Sequence, residues 1–127
     1  MNSLKLNEEM GFTIIELLVV VAITGILVAI AIPQFNAYRR KSYESHVKSD
    51  LRNAAAAEEA YFAANLTYIS GTLNSNTPTG FRKTPGVTLS AAIGSSTFQL
   101  TASHAMCGST TWTYSSSSGA ISGGPCL

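Results

Sequence analysis

Residues 12–32 read FTIIELLVVVAITGILVAIAI, an apolar run whose only charged residue is Glu16. A helix rises about 1.5 Å per residue, so this run spans about 30 Å, the thickness of the hydrocarbon core of a bilayer. A lone carboxylate in lipid is costly unless a partner compensates its charge. Cleavage between Gly11 and Phe12 would create an α-ammonium four residues from Glu16, and that ammonium is a candidate partner.

Residues 11–35, GFTIIELLVVVAITGILVAIAIPQF, resemble the N-terminal signature of type IV prepilins. The match is dense and specific over this stretch, looser as far as about Tyr68, and holds only in outline beyond it. The resemblance implies that a membrane prepilin peptidase cuts after Gly11 and then N-methylates Phe12. It also implies that mature subunits polymerise into a helical homo-oligomeric filament with their apolar helices bundled in its core.

The apolar run has two other interpretations, a plain signal anchor and a cleavable secretory signal. Glycine before phenylalanine, Glu16 and the proline at position 33 argue against the plain anchor. A secretory signal has a shorter apolar core, a basic n-region and a cut site that follows the core. Here the candidate cut site precedes the run, which favours the prepilin interpretation.

The charges flanking the run disagree with this interpretation. The leader holds one basic residue, Lys5, and two acids, whereas Arg39, Arg40 and Lys41 follow the run. The positive-inside rule would then place the C-terminal part in the cytoplasm. Either the true start codon differs or the targeting machinery overrides the weak charge bias, and we follow the motif because it is the more specific signal.

Composition argues against catalysis. The net charge is +1, and the sequence contains no HExxH, GxSxG, P-loop or CxxCH motif. About 95 residues beyond the apolar run suffice for one small domain. We expect no enzyme, no cofactor and no metal site, and the near-zero charge makes nucleic acid an unlikely partner.

Two cysteines, Cys107 and Cys126, lie in a Ser/Thr/Gly-rich C-terminal stretch. An even count beyond a membrane-targeting segment fits a disulfide in an oxidising compartment, worth about 3 kcal/mol in the chain-entropy model. Two unpaired thiols are the alternative. A metal site using His104 and Cys107 is weaker, because no fourth ligand is close in sequence.

The predicted fold class is α+β, with one long bent N-terminal helix, from about Thr13 to Asn65, packed on a small antiparallel β-meander. Pro33 lacks an N–H and should kink or loosen the helix, and Gly25 and Thr24 weaken it a turn or two earlier. An apolar stripe at helical spacing then continues the helix to about Asn65; its members are Tyr43, Val47, Leu51, Ala55 and Phe62. The predicted segments are a leader (1–11), a transmembrane or polymerisation helix (12–33), an amphipathic helix (34–65) and a loop, sheet and disulfide region (66–127).

Short strands are expected after a turn-rich segment that contains no regular element, residues 66–86. Alternating patterns predict strands at 87–93, 97–103, 111–115 and 120–122, with a turn between the last two. Four side chains should face the helix or the neighbouring loop: Phe98, Leu100, Trp112 and Tyr114.

Glu16 has two interpretations. It can snorkel to the lipid interface, or it can pair with the Phe12 ammonium of a neighbouring subunit and set the axial register of a filament. The resemblance favours pairing. It also implies that the helix around Gly25 and Pro33 melts on assembly and lets a filament lengthen under load.

Arg39, Arg40 and Lys41 lie beside Tyr38 and Tyr43. Basic residues interleaved with aromatics can bind single-stranded nucleic acid. A solvated face, or pairing with acids of the next subunit, is the preferred interpretation. The acids available for such pairing are Glu44, Asp50, Glu58 and Glu59.

Seven aromatic residues resemble the set proposed to carry electrons along some pili: Phe12, Phe35, Tyr38, Tyr43, Tyr61, Phe62 and Tyr68. Five of them form a possible aromatic stripe: Phe35, Tyr38, Tyr43, Phe62 and Tyr68. Core packing is the usual role of aromatics at helical spacing. Those short pilins also lack a C-terminal domain like the one here, so a conducting role is a minor alternative.

The preferred function is that of a structural pilus subunit serving adhesion, motility or DNA uptake. The resemblance implies three partners: the prepilin peptidase, the assembly machinery of the inner membrane, and further copies of the chain. The precursor would reside in the inner membrane and the mature subunit in an extracellular filament. The alternatives are a pseudopilin of a type II secretion system and a membrane-anchored periplasmic binding domain.

Overall fold

The computed structural model describes residues 11–127. A single long helix, α1 (Ile14–Asn65), is followed by five strands. The strands are β1 (Gly71–Thr72), β2 (Val87–Ile93), β3 (Phe98–His104), β4 (Thr111–Ser115) and β5 (Ile121–Gly123), and a short 3-10 helix (Ala105–Cys107) follows β3. The predicted α+β class is confirmed.

The sheet is an antiparallel meander in the order β1-β2-β3-β4-β5. The predicted strands at 87–93 and 111–115 match β2 and β4, and the other two predictions are displaced from β3 and β5 by one residue. The prediction that residues 66–86 contain no regular element is wrong. Gly71 and Thr72 pair with Ala91 and Ser90, and this short edge strand escapes sequence analysis because two residues show no alternation.

Within the described residues, Ala37 to Leu127 form one compact unit, and residues 11–36 belong to another. Within the second unit, Val47, Leu51 and Ala55 of the predicted helical stripe are buried. They contribute to a core that also contains Phe98, Leu100 and Trp112 from the sheet, as predicted. Tyr114 is half-buried against this core.

The helix is continuous across Gly25 and contains Pro33. Proline removes one backbone donor, so a helix that includes it loses one hydrogen bond there. The helix nevertheless continues without a break past both residues, so α1 accommodates them. The predicted bend stays a prediction.

Candidate functional site

The N-terminus of α1 is closed by a reciprocal pair of hydrogen bonds. The Glu16 carboxylate accepts from the backbone N–H and the hydroxyl of Thr13, at 2.8 and 2.7 Å. In return, the Thr13 hydroxyl accepts from the backbone N–H of Glu16 at 3.2 Å. This T-x-x-E arrangement is a capping box, which satisfies donors that a helix otherwise leaves free. The capping role of Glu16 was readable from the sequence, but our interpretation overlooked it.

The cut site predicted between Gly11 and Phe12 precedes this cap. Gly11, Phe12 and Thr13 are exposed and outside the helix. Phe12 is 94 % exposed. An extended, accessible stretch is what a peptidase needs, because its active site must reach the backbone.

Apolar surface is exposed along the whole first part of α1. Every large apolar side chain in residues 12–32 is exposed, from 48 % at Val28 to 94 % at Phe12. Soluble monomers rarely expose contiguous apolar patches beyond a few hundred Å². The described residues contain one helix long and apolar enough to cross a membrane. This surface therefore needs lipid or other protein chains around it.

In the part of the chain that the structure describes, no neighbouring side chain packs against the helix at Gly25. A Cβ added at Gly25 would meet no heavy atom within 4 Å. The preceding residue, Thr24, donates its hydroxyl to the carbonyl of Val20, one turn earlier. Such back-bonding slightly destabilises a helix and often bends it. This bond adds a local reason why Thr24, like its neighbour Gly25, weakens the helix.

The second unit is closed by a disulfide between Cys107 and Cys126, as predicted. Both cysteines are buried. Nearby, the Thr110 hydroxyl donates to the Pro125 carbonyl at 3.3 Å. The bridge ties the last residues of the chain to the 3-10 helix that follows β3, and it excludes the alternative of two free thiols.

Two of the acids predicted to pair with a neighbouring subunit are inside the fold, so that prediction is wrong for Asp50 and Glu58. Asp50 is 2 % exposed and accepts from the backbone N–H and hydroxyl of Thr84, at 2.7 and 2.9 Å. Glu58 is fully buried, and one carboxylate oxygen accepts from the Ile69 N–H at 2.9 Å. Both acids hold the loop between α1 and β2 to the helix.

The other oxygen of Glu58 has no partner within residues 11–127. Burial raises the pKa of this carboxyl, and the nearby Glu59 charge adds to the effect. The two remaining acids bond locally. Glu44 accepts from Lys48 at 2.6 Å, and Glu59 accepts a longer bond from the Tyr68 hydroxyl at 3.4 Å.

The aromatic residues of the predicted stripe do not lie together; some are exposed and others pack in two separate clusters. Phe35 and Tyr38 are exposed. The Tyr43 ring stacks on the buried His104 ring, with centroids 4.4 Å apart. Burial lowers the pKa of His104, with a smaller contribution from the charge of His46.

A second aromatic cluster links α1 to the sheet. Phe62 stacks on Tyr68 at 4.5 Å, Tyr68 meets Phe98 at 4.7 Å, and Phe98 lies 6.0 Å from Tyr114. These contacts cover the end of the core under the loop that follows the helix. Packing accounts for them, because each ring buries apolar area against the next.

The basic residues after the apolar run lie on the surface. The Arg39 guanidinium donates to the Tyr43 hydroxyl at 2.9 Å, and Arg40 and Lys41 are exposed. Over residues 11–127, His, Cys, Asp and Glu side chains form no group of three or more that could hold a metal ion.

Comparison with known proteins finds several pilins that match the N-terminal half of the chain. The chain is 45 % identical over 58 residues to the type IV major pilin protein PilA of Myxococcus xanthus, covering 46 % of this chain and 26 % of that protein. It is 51 % identical over 51 residues to the type IV major fimbrial protein FimA of Dichelobacter nodosus, covering 40 % and 33 %. It is also 38 % identical over 64 residues to the type II secretion system core protein G of Pseudomonas aeruginosa, covering 50 % and 45 %.

In these three comparisons the matched part is a quarter to just under half of the relative's length. No protein-family profile matches the chain. The resemblance to type IV pilins drawn from residues 11–35 is confirmed, and the chain is a type IV pilin-like protein with a hydrophobic N-terminal helix and a C-terminal disulfide. Pilins are structural proteins that polymerise into filaments and are not enzymes.

Proposed function

We propose that this type IV pilin-like protein is a major structural subunit of a type IV pilus. The observation that carries the proposal is the exposed apolar surface of residues 12–32, in a chain whose N-terminal half matches major pilins. Lipid covers such a surface in the precursor, and neighbouring helices cover it in a filament. The precursor would reside in the inner membrane and the mature subunit in a filament at the bacterial surface.

The proposed processing removes residues 1–11 and methylates Phe12. Gly11 is exposed and precedes the helix cap, so the scissile bond is accessible. Mass spectrometry of sheared filaments should show subunits that begin at N-methylated Phe12, and Gly11→Val should block cleavage by crowding the peptidase site. Finding residues 1–11 on assembled subunits would refute this processing.

The proposed assembly contact joins the Glu16 carboxylate to the Phe12 ammonium of a neighbouring subunit. Glu16 also caps its own helix, so Glu16→Val removes two functions at once. Glu16→Gln separates them, because an amide can complete a capping box but carries no charge. We expect both variants to insert in the membrane and both to lose filament yield. Normal yield with Glu16→Gln and loss only with Glu16→Val would assign the residue to capping alone.

Filament extensibility is the proposed role of Gly25 and Pro33. Glycine costs about 1 kcal/mol relative to alanine in a helix, and proline removes one backbone bond. Filaments of the Gly25→Ala, Pro33→Ala double variant should resist extension at forces that stretch the parent. Identical force–extension curves would remove this role.

A type II secretion pseudopilin is the second candidate, and the match to core protein G supports it. The two differ in abundance, because a major pilin is the main protein of sheared surface filaments. A chain absent from those filaments but required for protein secretion would favour the pseudopilin. A membrane-anchored periplasmic domain that never polymerises would meet neither criterion.

A further inference from the structure

Three consecutive basic residues, Arg39, Arg40 and Lys41, form a basic cluster on the surface of α1, and all three are exposed. Within residues 11–127 the only salt bridge joins Glu44 to Lys48. The cluster therefore carries three positive charges to which no carboxylate of the described chain is bonded. Concentrated charge of one sign attracts a partner of the opposite sign.

The acids of a second copy are poor partners for the basic cluster, because most of them are already engaged. Asp50 and Glu58 are buried inside the fold and hydrogen-bonded there, and Glu44 is bonded to Lys48. Over residues 37–127, Glu59 is the one acid whose side chain is exposed. A second copy thus offers one exposed carboxylate of this region to three cations, and an anion from another source fits the cluster better.

The basic cluster lies at the depth of lipid headgroups when the apolar run is in a bilayer. Arg39 follows Ile32 by seven residues and Lys41 follows it by nine, which is about 10–14 Å of helix at about 1.5 Å per residue. Helical side chains lean back over the preceding turn, about 5 Å toward the N-terminus. Their charges therefore lie about 5–8 Å beyond the run, and the headgroup layer on each side of a bilayer is also about 5–8 Å deep.

The cations of the basic cluster point to different sides of α1. Consecutive residues of an α-helix are about 100° apart around its axis, so the three residues cover about 200° of its circumference. A layer of headgroups surrounds a helix that crosses it and meets cations on all of these sides. A folded protein or a nucleic-acid strand meets one side of a helix, so the arrangement favours a lipid surface.

We propose that the basic cluster binds the anionic headgroups of phospholipids in the membrane that holds the precursor. The proposal rests on the membrane insertion proposed above and does not require filament assembly. Lys and Arg side chains next to a membrane span attract anionic lipids. Tyr38, which directly precedes the cluster and is 68 % exposed, is an aromatic residue of the kind enriched at membrane–water interfaces.

Arg39 is held ready for a phosphate group. Its guanidinium donates to the Tyr43 hydroxyl at 2.9 Å, which fixes its direction. A guanidinium has five N–H donors, so those not used by Tyr43 can donate to phosphate oxygens. Arg40 and Lys41 extend the positive charge around the helix.

Single-stranded nucleic acid fits the basic cluster less well. Such binding depends on aromatic side chains whose ring faces stack on bases. The Tyr43 ring is already stacked on the His104 ring, with centroids 4.4 Å apart, and the Arg39 guanidinium lies 5.9 Å from its centroid. Of the two tyrosines beside the cluster, only Tyr38 keeps an open ring.

The test uses the full chain reconstituted in phosphatidylcholine liposomes that contain a trace of spin-labelled phosphatidylglycerol or of spin-labelled phosphatidylcholine. Electron paramagnetic resonance measures the fraction of each labelled lipid whose motion the protein restricts, at low and at high salt. The variant Arg40→Gln with Lys41→Gln removes two cations of the cluster. Arg52→Gln with Arg82→Gln is the matched control, because it removes the same charge at two other exposed positions.

We expect the parent to prefer phosphatidylglycerol at low salt and to lose most of this preference at high salt, where the charges are screened. A cation near an anionic membrane surface changes an association constant by about fivefold. The Arg40 and Lys41 variant should therefore lower the preference by about fivefold or more, and the control should keep it. Trp112 fluorescence verifies folding, and the two single variants replace the double variant if it does not fold.

Three results would overturn the proposal: equal restriction of both lipids by the parent, an unchanged preference in the Arg40 and Lys41 variant, or equal losses in the two double variants. Loss of the phosphatidylglycerol preference on addition of oligodeoxythymidine would assign the basic cluster to nucleic acid and would likewise overturn it. A chain that inserts in the membrane but shows no lipid preference refutes this inference alone. Filament yield tests the pilus role separately.

Discussion

Asp50 is a buried side chain of the second unit whose removal should weaken the fold. It is 2 % exposed and accepts two hydrogen bonds from Thr84, at 2.7 and 2.9 Å. Bonds to a charged acceptor are worth about 1.5–3 kcal/mol each, but Thr84 is half-buried, so water replaces part of what is lost. We therefore expect Asp50→Ala to lower the free energy of unfolding by about 2–4 kcal/mol. A small domain has roughly 5–15 kcal/mol in total, so this is a large fraction.

The assay is urea unfolding of the full chain in detergent micelles, followed by the fluorescence of Trp112. This residue is the only tryptophan, it is fully buried, and it belongs to the core of the second unit, so its emission reports that unit. Asp50→Asn keeps one acceptor oxygen and should lose about half as much stability as Asp50→Ala. Thr84→Val removes the hydroxyl donor but keeps the backbone N–H, and its effect should not add to that of Asp50→Ala.

Glu59→Ala is the matched control, because it removes an exposed acid from the same helix. Surface substitutions of this kind usually change stability by less than about 0.5 kcal/mol. If Asp50→Ala and Glu59→Ala shift the unfolding curve equally, the hydrogen bonds between Asp50 and Thr84 do not stabilise the loop, and the reasoning fails.

Three further predictions use the same unfolding assay. Reducing the C-terminal disulfide should lower stability by about 3 kcal/mol, and an unchanged midpoint under reductant would contradict this. Gly123→Ala should destabilise by about 1–3 kcal/mol, because the new Cβ would overlap the Trp112 ring, whereas Gly124→Ala, with no atom within 4 Å, should be neutral. For Glu58, the raised pKa means that the folded chain holds a proton that the unfolded chain releases above about pH 4.5. Stability of the parent should therefore fall relative to Glu58→Gln as the pH rises from 4.5 through the folded-state pKa, and parallel pH curves would refute the assignment.

Local signals in the sequence were enough to predict most of the elements. The helix was predicted from residue 13 to 65 and runs over Ile14–Asn65, and the strands Val87–Ile93 and Thr111–Ser115 were predicted with their observed bounds. Helical and strand periodicities are read within one segment, so they need no knowledge of distant residues. Strand β1 was missed because a two-residue strand exists only through its pairing with β2.

The acids of α1 show where sequence analysis stops. Asp50 and Glu58 occur at helical positions that look like a charged surface, and the sequence alone offered them as acids available to a neighbouring subunit. Their partners are Thr84 and Ile69, which lie 34 and 11 residues away in the sequence. Only the folded loop brings these donors to the carboxylates, so no local pattern reveals the bonds.

The sequence by itself determined the membrane-length helix, the pilin-like N-terminus and the cysteine pair, because composition and short motifs carry each of them. The tertiary structure decided which acids are buried and which hydroxyls stand side by side. Alternation predicts that every second residue of a strand faces outward, but not which residue of the next strand lies beside it. That choice is made by the register, and the register sets Thr72, Ser90, Thr101, Thr113 and Ser122 in one row across the sheet.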